Sequence, residues 1–224
     1  MNTEPRSELE RRAAVHAALA EPARLRIVDT LTLGDASPSE LAAMLKMPSN
    51  LLAHHLRALE SVGLVTRTRS EGDRRRSYLR LVPGPLEGIA ASDARVVQRV
   101  LFVCTANSAR SHLAAALWRR ASDVPVASAG THPAERIDPA AIAAAERHRL
   151  PLRRLRPRRL EQIRADGDLI ITVCDLAHEE LGELADLHWS VPDPVRTGGD
   201  SAFDHALDEL ERRVSDLAPH LTAS

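Results

Sequence analysis

The sequence predicts two domains: a mainly α winged helix-turn-helix, then an α/β three-layer domain with a four-stranded parallel sheet. Three observations predict this. Residues 10–82 read as short helical segments closing in a hairpin. Residues 83–98 are punctuated by Pro83, Gly84, Pro85 and Gly88. From residue 99 onward, apolar strand-like runs alternate with helical ones. The expected division is therefore 1–82, a linker at 83–98, and 99–224. A chain of 224 residues suits two small cores.

In the first part, Val15, Leu19, Leu25, Val28 and Leu31 recur at near-helical spacing and are interrupted at Glu21-Pro22, which points to two helices or one broken helix. Ser37 is an N-cap candidate with Pro38 at the first helical position and Glu40 at the third, starting a helix over 38–46. After Met47-Pro48, Ser49 or Asn50 is expected to cap a second helix running to about Val62, and Gly63 ends it. Leu51, Leu52, Leu56 and Leu59 form its expected packing face. Val65, Tyr78, Leu79 and Leu81 flank a polar tip at 70–73, the pattern of a hairpin. Ile89–Gln98 is read as a short connecting helix.

In the second part, the apolar run Val100–Val103 is a buried strand followed by an alanine-rich helix near 111–121. Further strands are expected at 124–129, 168–173 and 186–190. Helices are expected at 139–148, 158–165, 176–183 and 201–218. Such β-α alternation implies a parallel sheet with helices on both faces.

Composition narrows the class. Hydrophobic residues make up 44% and charged residues 27%, so the chain is globular rather than disordered. A net charge of -1 gives no global attraction to nucleic acid, so such binding needs a local patch. Two cysteines, Cys104 and Cys174, make no disulfide framework, and the charged N-terminus has no apolar signal core. These features predict a cytoplasmic protein with no membrane partner.

The local patch lies in the first part. Two helices joined by a tight turn and followed by a hairpin place the second helix in the major groove and the wing along the backbone. Ser49, Asn50, His54, His55 and Arg57 on that helix are candidate contacts to double-stranded DNA, together with Arg74, Arg75 and Arg76 of the wing. The wing segment 66–81 carries six arginines against Glu71 and Asp73, a local charge of +4. His16, His54 and His55 are read as surface or phosphate-contacting residues, and no metal site is expected.

The stretches LAEPARLRIVDTL, SELAAMLKMPSNLLAHHLRALESVGLV and RSEGDRRRSYLRL resemble the ArsR/SmtB family of winged-helix repressors. The resemblance implies a homodimer that releases DNA on binding a metal or metalloid. Arsenic-responsive relatives often carry paired cysteines in the first helix of the motif. Here Ala42 and Ala43 stand in that neighbourhood, and the segment has no cysteine for thiolate sensing of arsenite.

The segment VLFVCTANSARSHLAAALW places Cys104 at the end of a strand, with the loop Thr105–Ala109 before Arg110 and a helix starting at Ser111. Such a loop turns backbone N–H groups inward as an anion nest, reinforced by the helix dipole. Thr105, Ala106, Asn107, Ser108, Ala109, Arg110 and Ser111 are therefore the expected oxyanion-binding residues. Arg110 offers a bidentate grip, and the positive surroundings favour a Cys104 thiolate as nucleophile. Asp193, in HWSVPDPVRTGGD, is the candidate proton donor.

Residues 99–220 resemble the low-molecular-weight tyrosine phosphatase superfamily and, within it, the arsenate reductases of that fold. The resemblance implies that Cys104 attacks the oxyanion, Asn107 stabilises the loop, Ser111 supports the thiolate and Asp193 acts as general acid. The NSARS stretch is closer to the reductases. Val195 follows Asp193-Pro194 where the tyrosine phosphatases usually have an aromatic residue. Cys174 falls where the first relay cysteine of thioredoxin-coupled reductases lies, but the region around Leu181 supplies no second one.

The expectation is thus a DNA-binding transcriptional regulator fused to an arsenate reductase that uses Cys104. No bound cofactor is expected. The reductant would be an external thiol of mycothiol or glutathione type, or a redoxin, and Cys174 would be a buried strand residue. A low-molecular-weight protein or small-molecule phosphatase and a non-catalytic repressor that senses arsenate or phosphate are the alternatives. The arginine-rich stretch 153–159 is read as a solvated face.

Overall fold

The computed structural model describes residues 8–82, 95–152 and 156–224. The chain divides into two compact units, the first carrying the N-terminal helices and the hairpin strands, the second carrying residues 71–73 and the described residues from 95 onward.

Among its described residues the first unit holds four helices and a hairpin: α1 (Glu8–Leu19), α2 (Pro22–Leu33), α3 (Pro38–Leu45), α4 (Ser49–Ser61), β1 (Val65–Arg69) and β2 (Ser77–Leu81). The interruption at Glu21-Pro22 separates two helices, and Glu21 caps the second by accepting from the Arg24 N–H. Helix α3 starts with the expected capping box: the Ser37 hydroxyl accepts from the Glu40 N–H while the Glu40 carboxylate accepts from the Ser37 N–H. Helix α4 differs from expectation. Ser49 lies inside the helix, and the flanking Pro48 (φ -58°, ψ 140°) sets the extended entry with no side-chain cap.

Leu52, Leu56 and Leu59 of α4 pack with Ile27, Leu31 and Leu41 in one core. Leu51, expected on the same face, is 44% exposed. One residue before Leu52, it falls about 100° away from the buried stripe. The hairpin pairs Val65 with Leu81 through Arg69 with Ser77, and Ala36 exchanges backbone hydrogen bonds with Leu79.

The second unit runs β3 (Arg95–Val97), β4 (Arg99–Cys104), α5 (Arg110–Ala121), β5 (Val126–Gly130), α6 (Pro139–Arg147), α7 (Leu160–Ile163), β6 (Asp168–Thr172), α8 (Asp175–Leu181), β7 (Leu187–His188), α9 (Pro194–Thr197), α10 (Asp200–Leu217) and β8 (Leu221–Ala223). Four of these strands form the expected parallel sheet, in the order β5-β4-β6-β7. Right-handed crossovers place α5, which leads away from β4 to one side, and α8, which leads away from β6 to the other, on opposite faces.

The strand order reverses between β4 and β6, and a crevice opens beyond their carboxyl ends, the place where such sheets bind ligands. Cys104 ends β4 at that point. The core around it is closed by Phe102, Trp118 and Trp189, with the Phe102 ring centroid 5.9 Å from Trp118 and 5.4 Å from Trp189.

The helix expected over Ile89–Gln98 is corrected for residues 95–97, while 89–94 lie outside the described residues. Arg95–Val97 is a strand paired in parallel with Leu221–Ala223. The β-branched pair Val96 and Val97 favours extended backbone, and Val97 is buried in the core of the second unit. Among the described residues no helix is long and apolar enough to cross a membrane.

Candidate functional site

Around Cys104 the chain builds a loop in which four carbonyls are bonded by one outside segment. The oxygens of Cys104, Thr105, Ala106 and Ser108 accept from the N–H groups of Thr131 (3.2 Å), His132 (2.8 Å), Ala134 (2.9 Å) and Asp138 (2.9 Å). The segment 131–138 thus straps the loop from one side by the loop carbonyls, and the loop's own Asn107 N–H turns toward Cys104, as in an anion nest. Asn107 adopts the left-handed conformation (φ 47°) that such a turn needs, and its N–H points to Cys104 Sγ at 3.2 Å.

The Asn107 side chain is oriented by its surroundings. Its Oδ1 accepts from the Arg158 N–H at 2.9 Å, so the amide nitrogen faces the other way and lies 2.9 Å from Ser111 Oγ. The Ser111 hydroxyl accepts there and keeps its own hydrogen for Cys104 Sγ, 3.1 Å away. Donation therefore runs from Asn107 through Ser111 to the sulfur. Each step polarises the next in surroundings where Asn107, Cys104 and Ser111 are all buried.

Gly130, at the end of β5, fits this packing because it has no side chain. A Cβ there would lie 2.6 Å from the Thr105 oxygen and 3.0 Å from Asn107.

Arg110 opens α5 with its guanidinium buried. Nη1 donates to the Val191 oxygen at 2.8 Å, and Nη2 lies 2.9 Å from Asp193 Oδ2. Burial acts against its charge, yet the sulfurs of Cys174 and Cys104 and the Asp193 carboxylate hold its pKa above the ordinary arginine value. Asp193 also caps α9 by accepting from the Val195 N–H. The nucleophile candidate, the guanidinium and the acid candidate therefore share one crevice. Thr105, Ala106 and Ser108 are half-buried along its edge, and Ala109 is buried under α5.

Cys174 is not a plain strand residue. It follows β6, sits at the N-cap of α8, and its sulfur lies 3.4 Å from the Thr105 hydroxyl. Burial pushes its thiol pKa up. Both cysteines are free thiols.

His112, next to Ser111, is buried with its Nδ1 3.5 Å from Ser128 Oγ. Burial first, and then Arg119, press its pKa down to about 4. The unfolded chain takes up this proton near pH 6.5 and the folded one only near 4. Stability therefore falls as pH drops through that window, by up to about 3 kcal/mol. Urea unfolding followed by tryptophan fluorescence checks this, because Trp118 and Trp189 both report on the second unit. His112→Gln is expected to flatten the dependence.

On α4, Asn50, His54 and Arg57 are exposed and, with Ala53, fall at helical spacing on one face, with Ser49 exposed at its start. Arg74, Arg75 and Arg76 are exposed in the wing. His55 is the exception among the DNA-contact candidates. It shares the face of Leu52, Leu56 and Leu59, is 7% exposed, and its Nδ1 lies 3.5 Å from Glu21 Oε2. It therefore belongs to the packing of α4 against α2. In the stretch 153–159, residues 153–155 lie outside the described residues, and the Arg158 and Arg159 side chains are exposed.

Sequence reasoning missed Gly130, the 131–138 strap, and the main-chain groups of Arg158 and Val191. A glycine ending a strand is the one readable signal among these, since it marks a close backbone approach.

Residues 99–224 match the family model described as low molecular weight phosphotyrosine protein phosphatase. Residues 19–68 match that of a helix-turn-helix domain. Among solved structures, a tyrosine phosphatase, AmsI, from Erwinia amylovora is 22% identical over 59% of this chain and 98% of its own, with a TM-score of 0.50. An arsenate reductase from Archaeoglobus fulgidus is 30% identical over 54% of this chain and 98% of its own, with a TM-score of 0.45. The YwlE arginine phosphatase from Geobacillus stearothermophilus is 27% identical over 55% and 91%, with a TM-score of 0.46. No curated protein matches the sequence.

Proposed function

Since the chain belongs, through residues 99–224, to the low molecular weight phosphotyrosine protein phosphatase family, we propose that this part reduces arsenate with Cys104 and an external thiol. The helix-turn-helix part binds double-stranded DNA as a regulator, working as a homodimer.

The observation that carries the choice of substrate is where the aromatic residues lie. The chain has one tyrosine, two phenylalanines and two tryptophans. Tyr78, Phe102, Phe203, Trp118 and Trp189 are all fully buried in the two cores. The residue after Asp193-Pro194 is the exposed Val195. No phenylalanine, tyrosine or tryptophan is left to stack on an aryl ester, whereas a small oxyanion needs only the nest and Arg110.

The chemistry follows from the donors in place. The Cys104 thiolate attacks arsenic, and a hydroxyl leaves as water with the proton that Asp193 supplies. A thiol of mycothiol or glutathione type, or a redoxin, then attacks Cys104 Sγ. The sulfur–arsenic bond breaks, its electron pair stays on arsenic, and arsenite leaves. A second thiol reduces the mixed disulfide and returns Cys104. Two thiol electrons match the change from As(V) to As(III).

The test is thiol-dependent arsenite formation by the full chain, lost in Cys104→Ser. Failure with every thiol and redoxin, or aryl phosphate turnover exceeding arsenate turnover, overturns the reading in favour of a phosphatase. DNA affinity that responds to arsenate in Cys104→Ser, with no arsenite formed by the wild type, would instead make the nest a sensor.

For the DNA-binding part, replacing Arg74, Arg75 and Arg76 with alanine is expected to lower the slope of log affinity against log salt by up to about 5, since the homodimer loses two sets of three arginines and each phosphate contact contributes about 0.9. Fluorescence anisotropy across a salt series checks it, and an unchanged slope places the wing away from the phosphates.

A further inference from the structure

Behind the crevice lies a buried polar cluster that the proposed chemistry does not use. The His188 ring, at the end of β7, has Nε2 3.2 Å from Asp175 Oδ1 and Nδ1 3.0 Å from Thr172 Oγ1. Both side chains of the His188–Asp175 pair are almost wholly buried. The Thr172 hydroxyl donates to the Leu187 oxygen at 3.2 Å, so it meets His188 Nδ1 as an acceptor. Each ring nitrogen of His188 thus faces an acceptor, which calls for a proton on both. The ring also lies flat on His178, centroids 4.1 Å apart and planes within 6°, and His178 Nδ1 is 3.3 Å from the same Thr172 hydroxyl.

We propose that Asp175 and His188 are positioning residues of the oxyanion site: a buried ion pair, with His188 doubly protonated, that fixes the segment Trp189–Asp193 and through it the direction of Arg110. The pair stands at the point where the sheet stops guiding this segment. Strand β7 pairs with β6 through only two residues, Leu187 and His188. Beyond them the Trp189 N–H bonds the Thr172 oxygen at 2.8 Å. Three residues past His188, the Val191 oxygen holds Arg110 Nη1, and Asp193 holds Nη2.

Asp175 opens α8 on the neighbouring crossover and also bonds the Ser190 side chain, so it grips the segment at two places. Burial alone raises the Asp175 pKa, but the hydrogen bonds it receives, from His188 foremost, bring it below the ordinary value. A buried carboxylate and imidazolium that satisfy each other hold geometry strictly, because separating them strands two charges.

The proposal rests on the 104–110 loop being an oxyanion site, and the test separates the two claims. Inorganic phosphate is titrated against alkylation of Cys104 by iodoacetamide in the full chain, followed by peptide mass spectrometry. If phosphate does not protect wild-type Cys104, the oxyanion reading fails and this proposal falls with it. If it protects, His188→Asn is expected to need about tenfold more phosphate for half-protection, because the shorter side chain keeps a donor near Thr172 but withdraws from Asp175. Asp175→Asn is expected to match it, and the double variant to add little more, as for two members of one unit. His188→Gln, whose amide nitrogen reaches the Nε2 position, is expected to stay within about threefold of wild type.

A role in packing alone would not tell asparagine from glutamine in this order. Equal protection in all variants, or Gln as weak as Asn, overturns the proposal. Nitrogen NMR of wild-type His188 is the second measurement and needs no variant to fold. Two protonated ring nitrogens at neutral pH are expected, and one unprotonated nitrogen overturns the ion pair.

Discussion

Replacing Arg110 with lysine is expected to lower kcat/KM for the oxyanion about a thousandfold, or about 4 kcal/mol of transition-state stabilisation. The guanidinium is buried, and it spans Val191 at 2.8 Å and Asp193 at 2.9 Å with different nitrogens. It therefore faces the nest as a pre-aimed fork. A lysine ammonium keeps the charge but offers a compact point donor on a flexible stem, and it cannot serve Val191, Asp193 and two oxyanion oxygens at once. The loss is expected in kcat as well as in KM, because the fork also holds the proton donor beside the leaving group. Steady-state kinetics with the thiol in excess checks this. A lysine variant within tenfold of wild type would mean that charge alone suffices.

Gly130→Ala is the second large effect. The added methyl would meet the Thr105 oxygen at 2.6 Å, a backbone atom of the very loop that carries the nest, and Asn107 at 3.0 Å. Neither can move freely. The Thr105 oxygen is bound by the His132 N–H at 2.8 Å, and Asn107 is locked between Arg158 and Ser111. The strain is therefore expected to shift the loop. Overpacking of this kind costs about 1–3 kcal/mol of stability, and misplacement of the reacting groups by about 1 Å costs about a hundredfold in turnover. Thermal unfolding and turnover measured on the same preparation check both. A variant destabilised but fully active would show that the loop does not need the strap held this closely.

These two residues mark the limits of the sequence reading. Arg110 was readable because its chemistry is carried by residue type: a cysteine ending an apolar strand, five small residues, an arginine and then a helix admit few other uses. The capping box at Ser37 and the helix break at Pro22 were readable for the same reason, since each is a local rule satisfied by side chains a few positions apart. Gly130 and the 131–138 strap were not. Their work is done by main-chain N–H and C=O groups from segments 27 to 30 residues apart, and nearly any residue type supplies those.

The strands Arg95–Val97 and Leu221–Ala223 escaped for a related reason. Each has three residues, too few for a period, and their pairing joins distant parts of the chain. His55 misled because a polar residue on a recognition helix reads as a contact, while its angular position beside Leu52, Leu56 and Leu59 already placed it inward.

In the proposed reaction Cys104 is the attacking sulfur and an outside thiol resolves it. The most direct test is a single turnover with arsenate and one equivalent of thiol, quenched under acid and mapped by mass spectrometry. One arsenite is expected for each Cys104 carrying the thiol as a mixed disulfide, with Cys174 unmodified. Arsenite released with the thiol bound to Cys174, or with Cys104 untouched, would contradict that reaction.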